Sequence, residues 1–137
     1  MYRYRAKILK IIDGDTLDVD IDLGFNVILS KQRIRLYGID TPESRTTDKI
    51  EKSCGLLSKH FLEQLCPIGS FIELKSYDTG KFGRILGEIF EYNKSDISIN
   101  QRMCDENLAV PYFGQSKEEI KEAHLVNREI LIQKGRL

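Results

Sequence analysis

Hydrophobic and polar positions alternate along the first forty residues in the pattern of a β-rich chain. Residues 6–12 are rich in apolar side chains and end at a turn-forming Asp-Gly-Asp sequence. Residues 17–23 alternate strictly between apolar and acidic side chains, which is the period of a strand with one face in solvent. A third apolar-rich segment covers residues 27–39 and ends before Pro42, because proline lacks the donor that a strand needs. We therefore predict three strands in this part.

The periodicity then becomes helical. Leu57, Phe61 and Leu65 are spaced four residues apart, which places them on one face of a helix. Two later segments open with the Ser-x-x-Gln/Glu pattern of a capping box, which marks the start of a helix. The elements predicted here are a helix over 55–65, strands over 71–74 and 85–92, a short helix over 98–108, and a helix from 116 to just before Gly135.

This order of elements predicts an α+β, β-rich fold, a five-stranded OB-type barrel with three helices. The chain has 137 residues, with 41% hydrophobic and 31% charged side chains, so we expect one globular domain over residues 1–137. No apolar run approaches the ~18 residues of a membrane span. The first residues also lack the apolar core of a signal peptide. We expect a cytoplasmic monomer that does not contact a membrane.

Charge and cysteine content narrow the function only slightly. Lys+Arg and Asp+Glu both number 21, and this balance argues mildly against a nucleic-acid binder. Basic residues open the chain, however, five acids lie between Asp13 and Asp22, and three basic residues follow. A site for both a metal ion and phosphate needs both signs close together. The three cysteines have no CxxC spacing, so we expect reduced, partly buried thiols.

The acidic run has two interpretations of its own. Asp13-Gly14-Asp15-Thr16 could be a simple hairpin turn, for which Asp and Gly are common. The alternating acids at 18, 20 and 22 have the spacing of an EF-hand calcium loop. The glycine of that loop comes one position late, however, and a leucine stands where the bidentate glutamate should be. These three acids are therefore expected on the solvated face of the second strand.

Two further segments carry candidate chemistry. Arg35, Asp40 and Glu43 crowd the end of a strand and its following loop, although an exposed arginine beside a solvated loop would have the same sequence. Arg35 falls between two apolar residues and should face away from them. The segment Gly-Lys-Phe-Gly-Arg ending at Arg84 has two glycines that let the backbone approach a ligand closely. A glycine-rich hairpin with exposed charges is the alternative.

Together the three segments resemble the staphylococcal nuclease (thermonuclease) family, and the resemblance covers roughly residues 5–135. It implies that Asp15 and Asp40 are calcium-binding carboxylates and that Thr41 adds a ligand through its backbone carbonyl. Asp13 would support the metal through water. Glu43 would be the general base.

The same resemblance implies roles in substrate binding. Arg35 and Arg84 would grip the scissile phosphate, and Lys81 and Phe82 would lie beside the nucleotide. Phe82 departs from the tyrosine of the family and lacks its hydroxyl. Tyr112 would contact the base, although a packed aromatic side chain at a helix exit is an equal alternative.

The implied activity is calcium-dependent hydrolysis of phosphodiester bonds in DNA and RNA, with little sequence specificity and 3′-phosphate products. One alternative is a catalytically weak SNase-like module that only binds nucleic acid. Another is a calcium-binding structural protein, against which Arg35 and Arg84 argue because a bare calcium site needs no arginines. His60 and His124 match no catalytic role in the family, and we expect them to be structural or exposed.

Overall fold

The computed structural model describes residues 2–79, 83–94 and 96–137, without the side chain of Thr79. Lys81 and Phe82, two of the predicted substrate contacts, lie outside this part of the chain. The strands are β1 Arg3–Asp13, β2 Thr16–Asp22, β3 Ile28–Leu36, β4 Ile39–Asp40, β5 Phe71–Thr79, β6 Ile85–Glu91 and β7 Val110–Pro111. The helices are α1 Lys49–Leu65, α2 Ile99–Asp105 and α3 Lys117–Gln133.

Five of the strands close into a barrel in the order β1-β2-β3-β6-β5. Neighbouring strands are antiparallel except β3 and β6, whose parallel pairing closes the barrel. Closure removes the exposed strand edges that an open sheet would present. The predicted five-stranded OB-type barrel with three helices is confirmed.

The barrel interior is filled by the apolar positions of the alternating strands. In β2 the side chains of Leu17, Val19 and Ile21 are buried, and the acids between them lie on the outer face. The face of α1 that packs on the barrel contributes Leu62, whose side chain is fully buried. Truncation of Leu62 to alanine should therefore cost about 2–5 kcal/mol of stability.

Several predicted boundaries differ from the structure; for example, β5 runs on to Thr79 and α2 already ends at Asp105. The third strand ends at Leu36, because the chain turns at Gly38 and forms the separate strand β4. Helix α1 begins six residues before the predicted start, with Asp48 as its N-cap. The first turn and a half of α1 is mostly polar and solvent-facing, so apolar periodicity could not reveal it.

The two capping serines are confirmed. Ser98 Oγ accepts a hydrogen bond from Gln101 N at 3.0 Å, and Ser116 Oγ accepts one from Glu119 N at 3.2 Å. The three cysteines are free thiols, and two of them are buried. Across the part of the chain that the structure describes, we find no helix with the length and apolar character needed to cross a membrane.

Candidate active site

Arg35 is the centre of the candidate site. Its neighbours Ile34 and Leu36 are buried in the barrel, so strand alternation turns the Arg35 side chain to the opposite face, as predicted. That side chain is only 15% exposed. Its Nη1 donates hydrogen bonds to the carbonyl oxygens of Leu36 and Ile39, both at 2.9 Å. These two bonds fix the plane and direction of the guanidinium.

The other terminal nitrogen of Arg35 joins two carboxylates from distant parts of the chain. Asp15 lies in the turn between β1 and β2, and its Oδ2 is 3.3 Å from Arg35 Nη2. Asp40 lies in β4, and its Oδ1 is 3.4 Å from the same nitrogen. Thr41 N donates to Asp15 Oδ2 at 3.3 Å, and Thr16 Oγ1 donates to Asp15 Oδ1 at 3.0 Å. Two of the predicted metal ligands, Asp15 and Asp40, therefore meet at one guanidinium nitrogen, and the backbone N–H of the third, Thr41, is bonded to Asp15.

Asp13, near Asp15 and Arg35, connects two segments of the chain through hydrogen bonds. Its Oδ1 accepts hydrogen bonds from Gly14 N at 3.0 Å and from Ser44 Oγ at 2.8 Å. Ser44 directly follows Glu43, so Asp13 ties the loop of Glu43 to the end of β1. Sequence reasoning overlooked Ser44, because nothing local marks a serine that pairs with an acid 31 positions away.

Two glycines let the site loops lie directly on α1. A methyl group added at Gly14 would come within 2.8 Å of Ser58 Cβ in α1. A methyl group added at Gly55, in α1 itself, would come within 2.7 Å of the Glu43 carbonyl. Any larger residue at either position would push a site loop off the helix. The close packing therefore sets where Glu43 and Asp15 sit relative to each other.

Glu43 is exposed at the edge of the site and has other acids nearby. Partial burial raises the pKa of its carboxyl first, and the negative charges of Asp13, Asp15 and Asp40 raise that pKa further. Glu51 at the start of α1 acts in the same direction. The carboxylate of Glu43 consequently holds a proton more readily than an isolated glutamate does. That property suits a group that must accept a proton.

A cleft with a volume of about 1380 Å³ opens over these residues. Arg35, Asp40, Glu43 and Arg84 all line it. Arg84 reaches the cleft because it directly precedes Ile85, which pairs with Ile34 across the parallel β3–β6 contact. Both predicted phosphate-binding arginines thus face one space with the predicted base.

Comparison with known proteins identifies the same family as the sequence motifs do. The profile of the family described as staphylococcal nuclease homologue matches residues 33–137. The chain belongs to this family. The match includes Arg35, Asp40, Glu43 and Arg84, but it begins after the turn that holds Asp15. Membership supports nuclease, that is hydrolase, activity on nucleic acid.

The chain is also similar in sequence to two uncharacterized proteins from other organisms. An uncharacterized protein of Methanocaldococcus jannaschii is 31% identical over 147 aligned residues, which cover 92% of this chain and 67% of the relative. An uncharacterized protein of Bacillus anthracis is 31% identical over 135 residues, which cover 87% of this chain and 58% of the relative. The chain thus spans about two thirds or less of these relatives' lengths.

Aromatic side chains line one side of the cleft. Tyr112 is 42% exposed, and its backbone N donates to Gly38 O at 2.8 Å. Phe113 is 70% exposed and meets Tyr37 edge to face, with ring centroids 6.0 Å apart. Tyr37 in turn stacks on Tyr77 at a centroid distance of 4.2 Å. Sequence reasoning selected only Tyr112, and the adjacent exposed Phe113 is an equally accessible ring.

Helix α3 forms another wall of the cleft and brings in a residue that the sequence left without a role. The Nε2 atom of His124 lies 2.8 Å from Asp40 Oδ2. His60, in contrast, is exposed on α1, as expected. The contact of His124 with a predicted metal ligand spans 84 sequence positions, and no local pattern announces it.

Asp15 and Asp40 would supply only part of the ligand set of a bound cation. Among residues 2–79, 83–94 and 96–137, no three His, Cys, Asp or Glu side chains are arranged to hold a metal ion. A cation bound by Asp15 and Asp40 would thus need further ligands from the backbone and water. The two carboxylates already share one positive group, Arg35 Nη2. A donor set made of oxygen atoms fits a hard cation such as calcium.

Proposed function

We propose that residues 1–137 form one nuclease domain that hydrolyses phosphodiester bonds in DNA and RNA with calcium as its metal ion. The proposal includes little sequence specificity and products with 3′-phosphate ends. One observation carries it: Asp15 and Asp40 meet at the Arg35 guanidinium, in a cleft that Arg35 and Asp40 share with Glu43 and Arg84. A site with both signs of charge suits an anionic substrate together with a cation.

Arg35 and Arg84 would bind the scissile phosphate. A guanidinium is planar, stays charged and matches the geometry of phosphate oxygens. Nη1 of Arg35 is committed to the carbonyl oxygens of Leu36 and Ile39, so contact with phosphate falls to the rest of its guanidinium. Because those bonds fix the group before substrate arrives, little reorganisation is needed during the reaction.

Asp15, Asp40 and the backbone carbonyl of Thr41 would hold calcium, which supplies positive charge against the phosphodiester and polarises its phosphoryl oxygen. Asp13 would act on the site through the loop that it ties to Ser44. The short β4–β7 pairing, in which Asp40 faces Val110, holds the backbone of Asp40 in place.

Glu43 would be the general base. Its carboxylate takes a proton from water as the oxygen of that water attacks phosphorus. The bond from phosphorus to the 5′ oxygen breaks, and that oxygen leaves with the bonding electrons and takes up a proton from solvent water. The raised pKa of Glu43 brings its basicity closer to what proton transfer near neutral pH requires. Gly55 contributes indirectly, because it lets the Glu43 backbone lie against α1.

Contacts to bases would come from stacking and not from base-edge recognition. Tyr112 and Phe113 offer exposed rings beside the cleft, and Lys81 and Phe82 would add contacts from the sequence segment before Arg84. Stacking and phosphate charge tolerate any base sequence. Single strands and A·T-rich regions that open readily should therefore be cut fastest.

The experiment is degradation of plasmid DNA, single-stranded DNA and RNA with calcium, magnesium or zinc at fixed ionic strength, and with a chelator. We expect cleavage of all three substrates with calcium, less with magnesium, and none with zinc or chelator. End analysis should give 3′-phosphates. Tight binding of nucleic acid without cleavage would instead favour the binding module, and strict cleavage at one duplex site would contradict the proposed specificity.

A further inference from the structure

We propose that His124 is a positioning residue that fixes the carboxylate of Asp40 for cation binding. The inference rests on the proposed function, because it assumes that Asp40 binds calcium. It goes further by making helix α3, which follows the motif residues by more than thirty positions, a part of the metal site. His124 would touch neither the cation nor the substrate in this role.

The two oxygens of Asp40 have different partners. Oδ2 lies 2.8 Å from His124 Nε2, and Oδ1 lies 3.4 Å from Arg35 Nη2. A carboxylate only accepts hydrogen bonds, so Nε2 of His124 is the donor. The shorter bond is the one to His124, and it leaves Oδ1 on the side where Asp15 Oδ2 also meets Arg35.

The hydrogen bond from His124 restricts a rotation of the Asp40 side chain that the backbone does not fix. Pairing of β4 with β7 fixes the main chain of Asp40, but rotation of an aspartate carboxylate about its last bond has broad wells. A donor held on Oδ2 selects one rotation and so keeps Oδ1 facing Arg35 Nη2, the atom that Asp15 also contacts. In metal sites, outer partners of this kind orient the ligands, and their loss weakens metal binding.

Simple attachment of α3 explains the His124 contact less well. Asn127, one turn further along the helix, already anchors α3 through a hydrogen bond from its Nδ2 to Ala109 O at 3.0 Å. The second ring nitrogen of His124, Nδ1, is buried and has no hydrogen-bond partner among the described residues. A buried polar atom without a partner opposes folding. Stability alone therefore gives little reason for a histidine here, and orientation of Asp40 gives one.

The test measures calcium binding by the whole chain in the absence of nucleic acid, by titration calorimetry. His124→Gln places an amide NH₂ close to the position of Nε2 and should keep the bond to Asp40. His124→Asn is similar in polarity but too short to reach Asp40, and His124→Leu removes the donor entirely. Asn127→Ala is the matched control, because it removes the hydrogen bonds of Asn127 with Ala109 and Asn107 without touching Asp40.

We expect His124→Asn and His124→Leu to weaken calcium binding about 10- to 100-fold. His124→Gln should recover most of the affinity, and Asn127→Ala should leave it within about twofold. Equal affinities of the Gln and Asn variants, or an Asn127→Ala loss as large as that of His124→Asn, would overturn the inference. Wild-type protein that binds no calcium would instead overturn the proposed function, whereas wild-type binding with unaffected His124 variants would overturn only the role of His124.

Discussion

The outer face of β2 and the cleft at its start both carry acids, but their surroundings differ. On the outer face each acid has its own partner. Asp18 accepts two hydrogen bonds from Arg33, at 2.9 and 3.2 Å. Asp22 accepts hydrogen bonds from Arg5 and from Gly24 N. Beside the cleft, by contrast, Asp15 and Asp40 lie against the same nitrogen of Arg35.

The pKa shifts of Asp22 on the outer face and of Glu43 in the cleft are opposite in direction. The backbone bond from Gly24, followed by the bond from Arg5, lowers the pKa of Asp22. Partial burial and neighbouring carboxylates raise the pKa of Glu43. The ionised form is thus favoured at Asp22 and disfavoured at Glu43. The negative charges around Glu43 therefore oppose folding, and such a cost is expected where a site serves a function.

The largest expected effect on the cleavage rate comes from replacing an arginine of the cleft. Arg84→Ala should lower the cleavage rate by about a hundredfold or more while the fold survives, by analogy with the loss of one pre-positioned donor. Arg84→Lys should restore little, because an ammonium is a point charge and not a fork. The readout is kcat/KM on single-stranded DNA. Full activity of Arg84→Lys would refute the phosphate clamp.

Arg35→Ala should lose as much activity as Arg84→Ala and also melt at a lower temperature. Arg35 bonds the carbonyl oxygens of Leu36 and Ile39, and its charge separates Asp15 from Asp40. Arg33→Ala is the matched control on the same strand, since Arg33 pairs with Asp18 on the outer face. Comparable rate losses in the Arg33 and Arg35 variants would remove the distinction between the two regions.

Glu43→Gln tests the cost of the crowded acids. It should lower the rate about a hundredfold or more, because the general base is lost. In chelator at pH 7 it should also melt a little higher than wild type, because the raised pKa of Glu43 means that its charge opposes folding.

The stability advantage of Glu43→Gln has a defined pH window. It should be full above the raised pKa of folded Glu43. It should fade as pH falls through that pKa, and vanish below about 4.3, the ordinary value for glutamate in an unfolded chain. Melting curves of both proteins in chelator from about pH 3 to 8 would measure this difference in stability. A Gln variant that is less stable than wild type at pH 7 would show that the carboxylate is favourably paired.

The smallest effect is expected on the outer face. Asp18→Asn weakens a partly exposed ion pair, so it should cost roughly 0–1 kcal/mol of stability. Its cleavage rate and calcium response should equal those of wild type. Denaturant unfolding measures the first quantity and the nuclease assay the second. A large loss of activity would place Asp18 in the functional set.

Local patterns predicted the barrel well. Strict alternation of Leu17, Val19 and Ile21 with acids identified β2 and its outer face, because strand periodicity depends only on neighbouring residues. The serine caps of α2 and α3 were visible for the same reason. The short strands β4 and β7 were not, since each has two residues and exists only through the other.

Contacts between distant residues limited prediction of the site. Resemblance to the family identified Arg35 and Asp40, but the resemblance could not provide their distances or partners. The bonds of Ser44 to Asp13 and of His124 to Asp40 join segments that only the folded barrel brings together. Lys81 and Phe82, outside the described residues, remain predictions from resemblance.

Calcium-dependent melting of three proteins tests the central claim most directly. The claim is that the cleft acids form a cation site and the outer acids do not. A ligand that binds only the folded state raises the melting temperature with its concentration. Wild type and Asp18→Asn should show equal rises with calcium, whereas Asp40→Asn should show little or none and should not cleave DNA. A calcium response in Asp40→Asn equal to that of wild type, or an equal loss in Asp18→Asn, would contradict the account.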